Sequence, residues 1–241
     1  MRIAIISSAN VMHMTLISHY MTLIDQSKHD VDLIYLDKYN KDEFFNATNI
    51  FKYKVDIKQD DSKLIKLRKY FGFKKFVKKI VNANEYDFFI VWNSYTAQLL
   101  GPNFFKKIKG KYFLNIRDYT YEKNPIIFKR IESIIENSIF TTISSKGFYT
   151  FLPPSKKYLV LHSINSEIVP EKKDDFMYTD LPINISFIGN VRFYEQNKKL
   201  IEVFKNRDDY KLHYYGVGSE PLAQYCKENK IENVYFHGAF S

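Results

Sequence analysis

The alternation of short apolar runs with helix-like segments most constrains how this 241-residue chain can fold. The apolar runs have the length and composition of buried strands and lie at 3–6, 31–35, 86–92, 111–116, 138–143 and 158–161. Segments with apolar residues at helical spacing lie between them, most clearly at 12–24, about 95–108 and 125–137. Residues 38–61 show no clear period and are interpreted as loop with possible short elements. The pattern is typical of parallel βαβ units and predicts an α/β fold.

A polar segment interrupts this rhythm in the second half of the chain. Pro170, Pro182 and the charged run at 171–175 predict a linker. The alternation then restarts, with strands at 183–188, 210–215 and 233–236 separated by helices at about 195–206 and 220–229. We therefore predict two Rossmann-like, doubly wound domains, with boundaries at 1–168, a linker at 169–182, and 183–241. Three strands are about half of a doubly wound domain, so the second domain is expected to be incomplete.

Composition excludes several classes of protein. A hydrophobic share of 45% and a charged share of 26% are ordinary for a globular protein and argue against disorder. Cys226 is the only cysteine, which excludes an intrachain disulfide and suits a reducing compartment. No apolar run approaches the roughly 20 residues of a membrane-spanning helix, and the first residues lack the pattern of a signal peptide. A cytoplasmic protein is expected.

The positive charge is concentrated in the first part of the chain. The net charge is +9, yet residues 1–168 have 26 basic and 16 acidic residues, whereas residues 169–241 have 10 and 11. Lysine supplies 30 of the 36 basic residues, which the bias of an A+T-rich genome would also explain. The predominance of lysine and the lack of a recognition motif argue against nucleic acid as the partner.

Residues 63–79 are basic and apolar, without an acidic residue. Such a stretch resembles an interfacial helix that lies on anionic lipid, with Lys74, Lys75, Lys78 and Lys79 facing the membrane. A second basic and aromatic cluster lies at 104–109. Two ordinary helices, packing apolar faces on the sheet and leaving lysines in water, explain the same pattern, and both interpretations remain open.

Polar residues follow two of the predicted strands, where ligands of open parallel sheets bind. Ser7 and Asn10 follow the first strand and lead to His13, while Arg117 and Asp118 close the strand at 111–116. An aspartate can hold or deprotonate a sugar hydroxyl, and an arginine can pair with a phosphate. The structural alternatives are a histidine at the surface or in the core and an Arg–Asp pair that only connects loops. No glycine-rich fingerprint follows the first strand, which argues against a tightly bound dinucleotide.

The strand at 183–188 ends in Gly189, and Arg192 follows just before a helix. A glycine lets a backbone approach a phosphate, and the helix N-terminus and the arginine add N–H donors and positive charge. The segments 185–204 (ISFIGNVRFYEQNKKLIEVF), 210–220 (YKLHYYGVGSE) and 233–240 (NVYFHGAF) resemble the second domain of GT-B-fold glycosyltransferases. The nearest likeness is to bacterial group 1 enzymes that build capsule and other surface polysaccharides.

This resemblance implies a nucleotide-sugar donor, a glycan or polyprenyl-linked acceptor, and no metal or other cofactor. The donor-binding residues would be Gly189, Arg192, Gly216 and Gly218, and the catalytic residues Asp118 and His13. Ser7, Asn10 and Arg117 would lie on the acceptor side. Enzymes of this family often act at the inner face of the cell membrane.

The sequence departs from the family in two respects. Many members have a lysine early in the helix after the glycine and the basic residue, where this chain has Glu195, Gln196 and Asn197 before Lys198 and Lys199. Members are also longer, and the additional part holds an acidic donor-binding motif. We therefore expect that the 241-residue form does not turn over a nucleotide sugar alone. The alternative is a catalytically incomplete remnant or partner subunit that binds acceptor, lipid or a companion chain.

Overall fold

A computed structural model describes residues 1–14, 16–25, 27–57, 61–118, 124–162 and 181–239. The chain divides into two units, Met1–Val169 and Pro170–Ser241. Only residues 181 and 182 of the predicted linker fall within the described ranges, so the linker and the domain boundaries stay predictions.

Seven parallel strands form the sheet of the first unit. They are β1 Arg2–Ser7, β2 Asp30–Asp37, β3 Asn49–Lys54, β4 Phe88–Trp92, β5 Tyr112–Ile116, β6 Phe140–Ile143 and β7 Tyr158–Val160. Their order is β3-β2-β1-β4-β5-β6-β7, and every neighbouring pair is parallel. The chain winds outward from β1 in one direction and from β4 in the other. The topological switch point therefore lies between β1 and β4.

The helices of this unit are α1 Ile17–Leu23, α2 Lys63–Ala83, α3 Ser94–Leu100, α4 Pro102–Lys107 and α5 Pro125–Asn137. The sheet is buried on both faces, because alternate residues of each strand enter different cores. Ala4 and Ile6 belong to the core that includes Phe73 and Val77 of α2. Ile5 belongs to the opposite core, beside α1.

The structure confirms the α/β class and corrects three of the predicted elements. β3 lies within residues 38–61, interpreted as loop from the sequence; it is an edge strand, and its half-exposed residues show no buried run. The predicted helix at 12–24 is interrupted because Leu16 has a φ of 66°, so α1 begins only at Ile17. The predicted helix at 95–108 is two helices, since Gly101 (φ 80°) ends α3 and Pro102 begins α4.

The second unit contains a smaller parallel sheet. Its elements are β8 Ile183–Ile188, α6 Tyr194–Phe204, β9 Tyr210–Tyr215, α7 Glu220–Glu228 and β10 Val234–Gly238, with strand order β10-β9-β8. All five were predicted, with ends that differ by at most two residues. The core includes Ile201, Tyr214, Leu222 and Cys226. Burial, followed by the charge of Glu202, raises the pKa of the Cys226 thiol to about 11, so this thiol is neutral at physiological pH.

The other face of the small sheet is polar and aromatic. His213 Nδ1 lies 3.0 Å from His237 Nε2, and His213 Nε2 lies 3.0 Å from Asn184 Oδ1. The rings of Tyr215 and His237 stack at 4.2 Å between centroids, and Tyr235 stacks on His213. Burial first, then the proximity of His237, lowers the pKa of His213.

Candidate functional site

A cavity of about 640 Å³ opens at the switch point of the first unit. Its lining residues follow β1, β2 and β4 or lie on α2, α3 and α5, and they are Ser8, Ala9, Lys38, Leu67, Tyr70, Phe71, Lys74, Asn93, Tyr95, Gln98, Leu99, Ile127 and Arg130. Ligands of doubly wound sheets bind at this position. We therefore take this switch-point cavity as the candidate site of the first unit.

Asn93 and Thr96 hold the ends of β1 and β4 together at the cavity. Asn93 Oδ1 accepts hydrogen bonds from the Thr96 N–H at 2.8 Å and the Thr96 hydroxyl at 3.0 Å, which caps α3. Thr96 Oγ1 in turn accepts the N–H of Ser8 at 2.7 Å. Asn93 has φ 70° and ψ 158°, a region that is almost restricted to glycine. Backbone strain of this kind concentrates at ligand sites, and here it lies on the cavity wall.

One wall of the cavity is apolar and is formed mainly by the first half of α2. Leu67 is 51% exposed and Phe71 is 47% exposed, and Tyr70 lies between them. In the second half of the same helix, Phe73 and Val77 are fully buried in the core. The second half of the helix thus packs on the sheet, as expected if residues 63–79 form an ordinary helix. The first half leaves apolar side chains uncovered. In the basic and aromatic cluster at 104–109, Phe104 and Phe105 are buried, as expected of an ordinary helix that packs its apolar face into the core.

The cavity is also positively charged, because Lys38, Lys74 and Arg130 line it and no carboxylate of the described part of the chain does. Lys38 Nζ lies 5.5 Å from the centre of the Tyr70 ring. Burial, then the charges of Lys78 and Arg130, lowers the pKa of Lys74. Lys75 and Lys79, by contrast, are exposed and do not line the cavity. The four lysines expected to face a membrane therefore have different surroundings.

Gln98 adds polar groups to the cavity wall. Its Nε2 donates to the carbonyl of Ile127 at 3.1 Å, and its own backbone carbonyl accepts from Arg130 Nη2 at 2.9 Å. Gln98 Oε1 is buried and makes no hydrogen bond within the described residues. This oxygen is an acceptor that a ligand hydroxyl could satisfy.

Ser7 and Asn10 lie at the end of β1, as predicted, but both are buried and bonded within the protein. Asn10 Nδ2 donates to Asp37 Oδ1 and to Glu43 Oε2, each at 2.8 Å. Asn10 Oδ1 accepts from the N–H of Lys38 at 2.9 Å. The Ser7 hydroxyl contacts the backbone of its own turn. In this structure both side chains position the loops around the site, and their place on the acceptor side stays a prediction.

Two carboxylates that organise this end of the sheet were missed by the sequence analysis. Burial raises the pKa of Asp37, but the hydrogen bonds from Asn10, Tyr39 and Asn40 outweigh it, so the pKa is lowered and the side chain is ionised. Glu43 accepts the N–H of Met12 at 2.8 Å, at the start of a 3-10 helix. Asp37 lies two residues after the predicted strand at 31–35, much as Ser7 follows the one at 3–6, which is the signal that could have identified it. Glu43 lies in a segment without a pattern.

The other predicted residues of the first unit lie outside the cavity lining. His13 is exposed, and its Nε2 lies 3.0 Å from the hydroxyl of Tyr39. Arg117 donates to Asn115 Oδ1 at 3.2 Å and to the carbonyl of Leu161 at 2.9 Å, so it connects the ends of β5 and β7. Asp118 is exposed, and its carbonyl accepts from Ser94. The structure does not bring His13 and Asp118 to the cavity, and their catalytic role stays a prediction.

In the second unit, an open strand end precedes a helix without a cap. Gly189 has a φ of 143°, and a β-carbon built on it would meet no atom closer than 4.0 Å. No side chain of the described residues caps α6 at Phe193, so N–H groups of its first turn are available. Arg192 is exposed, and no hydrogen bond or ion pair to it is found within the described residues. These groups have the chemistry of an anion site.

Gly216 and Gly218 have a different role, because neighbouring backbone occupies the space beside them. A β-carbon on Gly216 would lie 1.8 Å from the carbonyl oxygen of Gly189, and one on Gly218 would lie 2.8 Å from that of Val191. The same loops are joined by hydrogen bonds from the Gly189 N–H to Tyr215 and from the Val191 N–H to Val217, each 2.9 Å long. Both glycines allow the loops after β8 and β9 to pack closely, and a donor contact by either one stays a prediction.

Neither a metal-ligand cluster nor a membrane-spanning helix occurs among the described residues. No group of three or more His, Cys, Asp or Glu side chains there is placed to hold a metal ion, and the expectation of a metal-free protein stays a prediction. None of the described helices combines the length and apolarity needed to cross a bilayer.

No protein-family model matches the chain, and no curated protein matches it in sequence. Solved structures, however, match it over its whole length. The lipopolysaccharide outer core galactosyltransferase WaaB in its apo form has a TM-score of 0.60 at 18% identity, covering 100% of this chain and 69% of that chain. Sucrose-phosphate synthase from Thermosynechococcus elongatus has a TM-score of 0.65 at 11% identity, covering 100% and 71%.

The chain has a GT-B-type fold. UDP-GlcNAc 2-epimerase from Neisseria meningitidis, bound to UDP-GlcNAc, also matches, with a TM-score of 0.58 at 10% identity and coverage of 100% and 73%. At these identities the likeness establishes the fold alone, and the same fold therefore occurs in proteins named for different reactions. The GT-B expectation from the sequence is confirmed at the level of fold.

Proposed function

We propose that this protein is a glycosyltransferase, or part of one, that moves a sugar from a nucleotide-sugar donor to an acceptor. The observation that carries the proposal is the strand end of the second unit, where Gly189, Arg192 and the uncapped start of α6 occur together. A donor diphosphate needs N–H donors and a cation to stabilise the charge that develops on the leaving group. A metal-free mechanism is proposed, because these protein groups supply that charge.

The first unit would bind the acceptor at its switch-point cavity. The cavity offers an apolar wall from Leu67 and Phe71 and cations from Lys74 and Arg130. The acceptor we propose is a surface polysaccharide or a lipid-linked glycan, as in capsule synthesis by bacteria. Contact of α2 with an anionic membrane at the inner face of the cell membrane belongs to the same proposal, since Leu64 and Ile65 are exposed beside lysines.

The test incubates the purified chain with a panel of nucleotide sugars and follows both binding and chemistry. Ligand-observed NMR should detect binding of at least one nucleotide sugar, and Arg192→Ala should weaken that binding about tenfold. Lys199→Ala is the matched control, because Lys199 is an exposed cation on the same helix beyond its first turn, and it should change binding less than twofold.

Chemistry distinguishes transfer from the reaction of the epimerases that share the fold. Without acceptor, the donor sugar should keep its configuration in the NMR spectrum. Conversion of the donor to its 2-epimer, or failure of every nucleotide sugar to bind, would contradict the proposed function.

A further inference from the structure

Three cations converge at the rim of the switch-point cavity, on α2 and α5. A second cavity of about 270 Å³ shares Lys74 and Arg130 with the larger one and also includes Lys78. Among the described residues, no carboxylate lines either cavity. A β-carbon built on Gly101 would lie 3.3 Å from Arg130 Nη2 and 3.5 Å from Lys74 Nζ, so both groups approach the same point.

This arrangement is unfavourable without a counter-ion, because like charges repel and the partial burial of Lys74 and Arg130 weakens their hydration. Burial and the two neighbouring cations lower the pKa of Lys74, as expected for a charge that lacks an anionic partner. Within the described residues, no ion pair involves Lys74, Lys78 or Arg130. Arg130 donates one Nη2 hydrogen bond to Gln98, which fixes its position beside Lys74.

The apolar wall begins immediately beside these cations. Lys74 Nζ lies 5.9 Å from the centre of the Phe71 ring, and Leu67 is one turn further toward the start of the helix. Leu99 and Ile127 face the same cavity. A ligand that satisfies both parts of the cavity has an anionic group at one end and an apolar chain at the other.

We propose that Lys74, Lys78 and Arg130 form a phosphate-binding subsite for an amphiphile with a phosphate or diphosphate head and a hydrocarbon chain. The head group binds the three cations, and the chain lies along Leu67, Tyr70 and Phe71. This inference rests on the proposed function, in which the same cavity binds the acceptor, and it specifies the chemical class of that acceptor.

Isothermal titration calorimetry on the full chain tests the subsite with three probes, namely geranyl diphosphate, inorganic pyrophosphate and geraniol. Geranyl diphosphate should bind at least about tenfold more tightly than either fragment, because only it occupies both parts of the cavity. If inorganic pyrophosphate bound as tightly as geranyl diphosphate, the claim that the ligand is an amphiphile would be overturned. If neither phosphorylated probe bound, the subsite itself would be overturned.

Variants separate this subsite from general attraction to the basic helix. Lys74→Gln should weaken geranyl diphosphate about tenfold, and Lys79→Gln, on the exposed side of the same helix, should change it less than twofold. Phe71→Ser should weaken geranyl diphosphate and leave pyrophosphate unchanged. Equal effects of Lys74→Gln and Lys79→Gln would mean that only a diffuse charged surface binds, which contradicts the proposal.

The source of the phosphate is resolved by a vesicle arm. The titration with geranyl diphosphate is repeated in the presence of anionic phosphatidylglycerol vesicles. The vesicles should not compete for the subsite, so the calorimetric affinity for geranyl diphosphate should not change. Competition by these vesicles would show that lipid head groups occupy it and would overturn the assignment. No titration contains a nucleotide sugar. If geranyl diphosphate failed to bind while a nucleotide sugar still bound, the subsite alone would therefore be refuted. The panel of nucleotide sugars tests the proposed function separately.

Discussion

The carbonyl oxygen of Gly189 lies 1.8 Å from the point at which a β-carbon on Gly216 would stand. A methyl group at Gly216 would therefore push apart the loops after β8 and β9, which backbone hydrogen bonds hold together. We expect Gly216→Ala to lower the free energy of unfolding by about 2–4 kcal/mol, from this overlap and from the positive φ.

Gly238→Ala is the matched control for this prediction. Gly238 also has a positive φ, 72°, but no atom of the described residues lies within 4 Å of a β-carbon built there. Only the backbone strain of about 1 kcal/mol should remain. Hydrogen exchange of the β8–β10 peptides measures both variants, and equal protection in both would show that the close contact is not needed.

A second prediction concerns Asp32, which is buried at the opposite end of the large sheet from the cavity. It accepts hydrogen bonds from Arg2 Nη2 at 2.8 Å, Tyr86 at 2.8 Å and Asn49 at 2.7 Å. Asp32→Ala leaves these donors without a partner and should destabilise the protein by about 3 kcal/mol in denaturant unfolding.

Asp209→Ala serves as the comparison for Asp32, because Asp209 pairs with Arg207 at 2.7 Å but these side chains are 37% and 49% exposed, whereas the Asp32 side chain is fully buried. An exposed ion pair contributes under about 1 kcal/mol. If the two variants unfolded at the same denaturant concentration, the Asp32 network would not be the stabilising feature that its geometry indicates.

The histidine pair of the second unit predicts a pH dependence. The pKa of His213 is lowered in the folded state, so the unfolded chain binds the proton more readily. Stability is therefore fully present above the unfolded pKa of about 6.5 and falls as pH decreases below it. His213→Phe keeps an aromatic ring on Tyr235 and removes the titration.

Hydrogen exchange of the β8–β10 peptides, compared between parent and His213→Phe at each pH, measures this effect. Between pH 7.5 and pH 5 the parent should lose protection relative to the variant. An identical change in both proteins would assign the acid sensitivity to other groups.

The exposed half of α2 predicts weak binding to anionic vesicles. Leu64 is 78% exposed and lies one turn before Arg68, and Lys75 and Lys79 follow on the exposed side. Changing Lys75 and Lys79 to Glu should abolish co-sedimentation with anionic vesicles. The parent protein should bind neutral vesicles less than it binds anionic vesicles. Equal sedimentation of the parent and the variant with both kinds of vesicle would refute the proposed contact with the membrane.

The sequence predicted the parts of the fold that depend on local pattern. β4 is a buried strand and a continuous apolar run, β5 is apolar except for Asn115, and α5 begins at Pro125 and ends at Asn137 as predicted. β3 was missed because an edge strand with half-exposed residues has no such run. The pattern thus predicted strands whose residues are buried and missed the strand whose residues are half-exposed.

The candidate site was harder to predict, because it depends on how distant segments meet. Arg130 reaches Gln98 and the neighbourhood of Lys74 only through the packing of α5 against α3, which no spacing in the sequence encodes. Asn10 and Ser7 were correctly placed at a strand end, but their burial depends on Asp37 and Glu43. Sequence patterns thus located the edge of the sheet and did not identify the cavity.

The most direct measurement is a titration of a panel of nucleoside diphosphates (UDP, GDP, ADP and dTDP) into the ¹⁵N-labelled chain, followed by amide shifts in the two-dimensional NMR spectrum. The account predicts weak, millimolar binding with the largest shifts from Gly189 to Tyr194, and their loss in Arg192→Ala but not in Lys199→Ala. Shifts confined to the first unit, no shifts at all, or shifts that persist in Arg192→Ala would contradict a donor-binding role for the second unit.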